Sequence, residues 1–212
     1  MARSSLTLQL LLLVACCFVA GASAARPSPS SKDAGDGASS FVRTWCAGTE
    51  YPALCDVTLA PYAETVGTSP ARLAWAALTV TLGGARNASS AMRSMAARGH
   101  LSPVAAEAAG DCVSMLGDGV DALRRSVDAM ARVGEQEGRR VEARKVRFEV
   151  DNVRTWASAA LTDDNMCMEG FKGEAAGGGG AREAVRGHVM GLVHLTANAL
   201  GIVNAMSKQT PP

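Results

Sequence analysis

Residue types able to do covalent or proton-transfer chemistry are few in this 212-residue chain, and their spacing assembles no catalytic set. Of three histidines, His100 falls in a predicted loop, while His188 and His194 are six apart and fall on different faces of one predicted helix. Neither His-Glu-x-x-His nor Gly-x-Ser-x-Gly occurs, so the metallohydrolase and serine-nucleophile arrangements lack their residues. The carboxylates are scattered along helical patterns, and Asp163-Asp164 reads as a helix-ending turn rather than an acid–base pair. Gly177 to Gly180 has no Gly-Lys-Ser or Gly-Lys-Thr after it and no strand before it, which excludes a phosphate loop. These absences leave a protein that acts by binding, is no enzyme, and needs no cofactor or metal.

The cysteines are the remaining reactive groups, and the compartment decides what they do. Arg3, an apolar run from Leu6 to Ala22 and the small residues Ala22-Ser23-Ala24 form the pattern of a secretory signal peptide over residues 1–24. The run is short for a bilayer span, the segment after it is polar, and no second apolar stretch reads as a span, so no membrane attachment is expected of the mature form. Removing the signal takes away Cys16 and Cys17 and leaves Cys46, Cys55, Cys112 and Cys167, an even number in an oxidising compartment. Two disulfides are expected, and a thiol nucleophile is not. Without Arg3 the 21 basic residues become 20, which balances the 20 acidic ones. A neutral chain has no general pull on nucleic acid.

Helices must position these groups. Residues 25–39, rich in Pro, Ser, Gly and charge, read as a flexible arm. Residues 40–66 hold Cys46 and Cys55 with Pro52 between them, and a folded-back pair of short helical turns would bring the two sulfurs within bonding range. Four longer patterns follow over about 69–98, 102–133, 139–163 and 181–207. Ser69-Pro70 and Ser102-Pro103 open the first two as N-cap and first helical residue. Leu73, Ala77, Val80, Gly84, Ala88, Ala91 and Met95 form one apolar stripe; Ala109, Cys112, Leu116, Val120, Leu123, Val127 and Met130 form another. Val185, Val189, Leu192, Thr196, Ala199, Val203 and Met206 keep strict heptad spacing. The fold class is therefore all-α: an up-and-down four-helix bundle preceded by a short disulfide-stapled helical hairpin, with residues 40–208 as one domain. Three disulfide connectivities are possible in principle, and Cys46–Cys55 with Cys112–Cys167 is the preferred one. Asn87-Ala88-Ser89 is a glycosylation sequon. The basic run Arg139, Arg140, Arg144, Lys145 and Arg147 reads as a solvated face.

Three segments carry a resemblance. FVRTWCAGTEYPALC (41–55), DCVSMLGDGVDALRRSV (111–127) and VRTWASAALTDDNMCMEGF (153–171) together resemble the plant invertase and pectin methylesterase inhibitor family. The resemblance implies a four-helix bundle behind a helical hairpin, with the first two and the last two cysteines paired. It also implies a secreted, cell-wall (apoplastic) protein that forms a one-to-one complex with its enzyme and covers the substrate cleft. The opening segment and TWxSAALT look more like the pectin methylesterase inhibitor branch, with pectin methylesterase as partner. An acid invertase is the alternative partner, and a structural pectate-binding role through Arg139 to Arg147 is a further alternative. The family's acidic positions beyond its Asp-Cys pair fall on Asp118 and Asp121, which the resemblance marks as partner-binding residues. Two positions depart from the pattern: Ser114 stands where the family often has Glu, and Met166 stands where many members have Thr.

Overall fold

The computed structural model describes residues 31–137 and 143–209. The helices, numbered in chain order, are α1 (Ser31–Cys46), α2 (Pro52–Leu59), the single turn α3 (Ala63–Val66), α4 (Pro70–Ala97), α5 (Pro103–Gln136), α6 (Ala143–Glu169) and α7 (Gly180–Gln209). Short 3₁₀ segments, Ala60–Tyr62 and Gly173–Gly179, join α2 to α3 and lead into α7. α4 packs on α5, α5 on α6, α6 on α7, and α7 closes back on α4, while α1, α2 and α3 form the hairpin that precedes them. This is an all-α up-and-down bundle.

The starts of α4 and α5 follow from their caps. The Ser69 hydroxyl accepts from the Arg72 N–H at 3.0 Å and the Ser102 hydroxyl from the Ala105 N–H at 3.3 Å. Pro70 and Pro103 occupy the first turn, where a missing N–H costs nothing. Glu137, past the end of α5, accepts from the Ser69 hydroxyl and from the Ala71 N–H at 3.4 Å. A carboxylate thus sits at the positive end of the α4 dipole.

Every member of the heptad stripe on α7 is buried. By length and composition α7 could cross a membrane, contrary to the sequence expectation that no second stretch could. Its apolar face is spent on the bundle instead, with Val185, Leu192 and Val203 sealed against other helices. α4 buries more than its one stripe: Ala74, Leu78, Ala85 and Met92 join Leu73 and Ala88, because α4 meets α5, α7 and the hairpin together. A Cβ at Gly84 would lie 3.2 Å from the Leu195 methyl, so this glycine lets α7 approach closely.

Two boundaries differ from the sequence reading. Residues 31–39, expected within the flexible arm, belong to α1, because Ala38, Val42 and Cys46 recur every four residues and are buried on one helical face. Burial of that face outweighs the low helix preference of the surrounding Ser and Gly. Residues 1–30, including the expected signal peptide, lie outside the described residues. Thr162-Asp163-Asp164 does not end α6, which continues through Cys167 to Glu169. The Thr162 hydroxyl donates to the Ser158 carbonyl at 3.0 Å and the Asn165 amide to the Leu161 carbonyl at 2.8 Å, so polar side chains fold back on the helix instead of breaking it. The start of this helix expected at Arg139 also lies outside the described residues.

Candidate protein-binding face

Disulfide bonds join Cys46 to Cys55 and Cys112 to Cys167, with Cα–Cα separations of 5.4 and 4.4 Å. The first closes the hairpin. The second ties α5 to α6 near the start of one and the end of the other, and all four cysteines are buried. Gly119 faces α6 in the same contact: a Cβ there would sit at ordinary packing distance from the Ala160 Cα, 3.8 Å, and from an Asp164 carboxylate oxygen, 3.9 Å.

On the outer side of α5, Glu107, Asp111, Ser114, Asp118 and Asp121 are exposed at spacings of four, three, four and three, one continuous helical stripe. Asp121 pairs with Arg124 at 3.0 Å on the open surface. Asp163 of α6 lies beside this stripe: partial burial first, and the Asp118 charge second, hold its carboxyl above the usual range. Between Pro103 and Leu123 on α5 and between Thr155 and Glu169 on α6 there is no Lys or Arg. The first cations beyond the stripe are Arg124, the partner of Asp121, and Arg125, whose guanidinium stands 5.5 Å over the half-buried Trp156 ring. Glu107 and Asp111 were missed as members of the face on sequence grounds, although their spacing to Asp118 and Asp121 was there to be read.

Asp164 is a different case. Only 1% exposed, it accepts from the Thr196 hydroxyl at 2.9 Å, tying α6 to α7 inside the bundle. Burial pushes its carboxyl up to about 7; the Thr196 bond works the other way and Asp163 adds to the rise. The pair expected to form a turn is thus divided between a partly sheltered edge and the core.

The remaining candidates lie elsewhere. Asn87 is exposed on α4, while Ser89 of its sequon is buried, its hydroxyl accepting from Arg93 at 2.9 Å. Arg144, Lys145 and Arg147 are exposed on the first turns of α6 beside Phe148, and Arg139 and Arg140 lie outside the described residues. His100 and His188 are exposed, and His194 stacks on Tyr51 with ring centres 3.9 Å apart. Among the described residues, no three His, Cys, Asp or Glu groups could hold a metal ion.

Comparison with known proteins gives this face its context. Residues 40–202 match the model of the family described as plant invertase/pectin methylesterase inhibitor. The chain belongs to that family. Pectinesterase inhibitor 11 of Arabidopsis thaliana is 34% identical over 203 residues, covering 96% of each chain. Pectinesterase inhibitor 10 of the same plant is 33% identical over 164 residues, which are 77% of this chain and 50% of that longer relative. The 21 kDa protein of Daucus carota is 34% identical, with 79% of this chain and 83% of that one covered. A crystal structure of a mutant form of a pectin methylesterase inhibitor from Arabidopsis superposes with a TM-score of 0.55 at 18% identity, over 77% of this chain and 95% of that one. The fold is therefore that of the family, and family members are inhibitors of pectinesterase or invertase type.

Proposed function

We propose that the protein is a secreted, apoplastic inhibitor of pectin methylesterase that binds its enzyme one-to-one and works by obstruction, with no chemistry of its own. The observation that carries this reading is the family membership, with pectinesterase inhibitors among its relatives. Asp118 and Asp121 are the proposed contacts, supported by their exposure on a stripe from which cations are absent as far as Arg124. Such a face fits an enzyme surface rich in Lys and Arg around the cleft, and a bundle seated there would keep pectin out. Asn87 is the proposed glycan acceptor, exposed on α4.

The test is inhibition of two purified enzymes, a pectin methylesterase and an acid invertase, by the recombinant protein. Loss of methylesterase activity with invertase untouched supports the reading, and the reverse result replaces it with the invertase alternative. A separate pectate-binding role is favoured only by the exposed Lys145 and Arg147 and by the exposed Phe148 that follows them. Retention on a polygalacturonate column at physiological salt would support it, and flow-through would count against it.

A further inference from the structure

Only four large apolar side chains are exposed among the described residues, and two of them, Val104 (43% exposed) and Met166 (50%), border one groove. This groove, of about 210 Å³, runs between the start of α5 and the end of α6 over the Cys112–Cys167 bond. Met115 adds to its apolar wall, and Glu107 and Asp111 stand on its rim. It continues the acidic stripe that ends in Asp118 and Asp121. We infer that this groove receives one long cationic side chain, Lys or Arg, from the partner protein, and that Met166 sets how well that side chain fits. The inference rests on the proposed role of the protein as an enzyme inhibitor that binds through this face.

Two properties select the occupant. An aliphatic or aromatic side chain would match Val104 and Met166 but would strip water from Glu107 and Asp111 without pairing them. A carboxylate would be repelled by both. Lys and Arg combine an apolar stem with a charged head, so the stem lies along Val104, Met115 and Met166 while the head reaches the two carboxylates. The thioether of Met166 is unbranched and deformable, which lets the wall adjust to either stem. Among the described residues no Lys or Arg lines the groove, and Lys172, the first basic residue in sequence after Cys167, is paired with Glu169.

The experiment compares wild type with Met166→Arg, Met166→Leu and Glu107→Gln/Asp111→Asn in titrations against the inhibited enzyme, methylesterase or invertase. Met166→Arg supplies a cation in cis at an exposed position and should weaken inhibition about 30-fold or more, as expected of a lost hot spot. Met166→Leu should stay within about threefold of wild type, being similar in volume and polarity. Glu107→Gln/Asp111→Asn should weaken inhibition about tenfold and reduce its salt dependence. Circular dichroism and melting temperature establish that each variant is folded. Inhibition by Met166→Arg and by the double variant within about threefold of wild type overturns the groove and leaves the proposed function standing. A wild type that inhibits neither enzyme overturns both.

Discussion

The side-chain amide of Asn198 pairs with both backbone polar groups of Tyr51. Its Oδ1 accepts from the Tyr51 N–H and its Nδ2 donates to the Tyr51 carbonyl, each at 2.9 Å, across 147 residues of chain. Tyr51 sits between the two hairpin cysteines, and its ring stacks on His194 one turn earlier on α7. The hairpin is therefore docked to the last helix by directed bonds as well as by apolar burial. Replacing Asn198 by Ala leaves the Tyr51 N–H without its partner, while the Tyr51 carbonyl keeps the Cys55 N–H at 3.0 Å, and a loss of about 1–2 kcal/mol is expected. Urea unfolding measures it. A change within experimental error would mean that water satisfies Tyr51 and that the bonds hold nothing.

The buried Asp164 makes a prediction about pH. Its carboxyl has an ordinary value of 3.8 in the unfolded chain and about 7 in the folded one, so between these values the folded state binds the extra proton. Stability is then fully present in acid, declines as pH rises through that window, and levels off above it. The decline is on the order of a few kcal/mol if no other group titrates in the window. Asp164→Asn keeps the acceptor for Thr196 and removes the titration, so its unfolding free energy should change little between pH 5 and pH 8 and exceed that of wild type at pH 8. Parallel pH profiles for the two proteins would show that Asp164 does not cause the slope.

The two disulfides should differ in value. In the chain-entropy account, a bond closing 9 residues stabilises by about 2.7 kcal/mol and one closing 55 by about 4.2 kcal/mol. Many of the buried positions on α4 and α5 are Ala, which gains little by burial, so the Cys112–Cys167 bond should matter more to folding than the hairpin bond. Denaturant unfolding of Cys46→Ala/Cys55→Ala and Cys112→Ala/Cys167→Ala gives the order. The reverse order would mean that the hairpin, not the α5–α6 contact, is the weak joint.

Some of this was legible in the amino-acid sequence because the physics is local. The α7 heptads could be read directly since every member of the stripe is buried, and Ser-Pro pairs mark two helix starts by chemistry confined to four residues. The first turns of α1 could not be read, since Gly35, Gly37 and the serines around them mask an Ala38–Val42–Cys46 face that becomes apparent only when α2 and α3 cover it. Asp163-Asp164 misled for a related reason. A carboxylate is ordinarily a surface residue, and only Thr196, 32 positions away, makes one of these a core residue. On the binding face, the acidic spacing along α5 was visible. The groove was not, because it exists only where Met166 of α6 comes beside Val104 and Met115 of α5.

The central claim is that a methylesterase is inhibited stoichiometrically through the acidic stripe of α5. Its most direct test titrates a fixed concentration of pectin methylesterase, well above the dissociation constant, with wild type and with Asp118→Ala/Asp121→Ala, following ester hydrolysis. The expected result is a linear fall ending at one equivalent for wild type, and a curved titration weakened about tenfold or more for the double variant, whose fold should be intact because both positions are exposed. Full methylesterase activity in the presence of excess wild type, or superimposable titration curves for the two proteins, would contradict it.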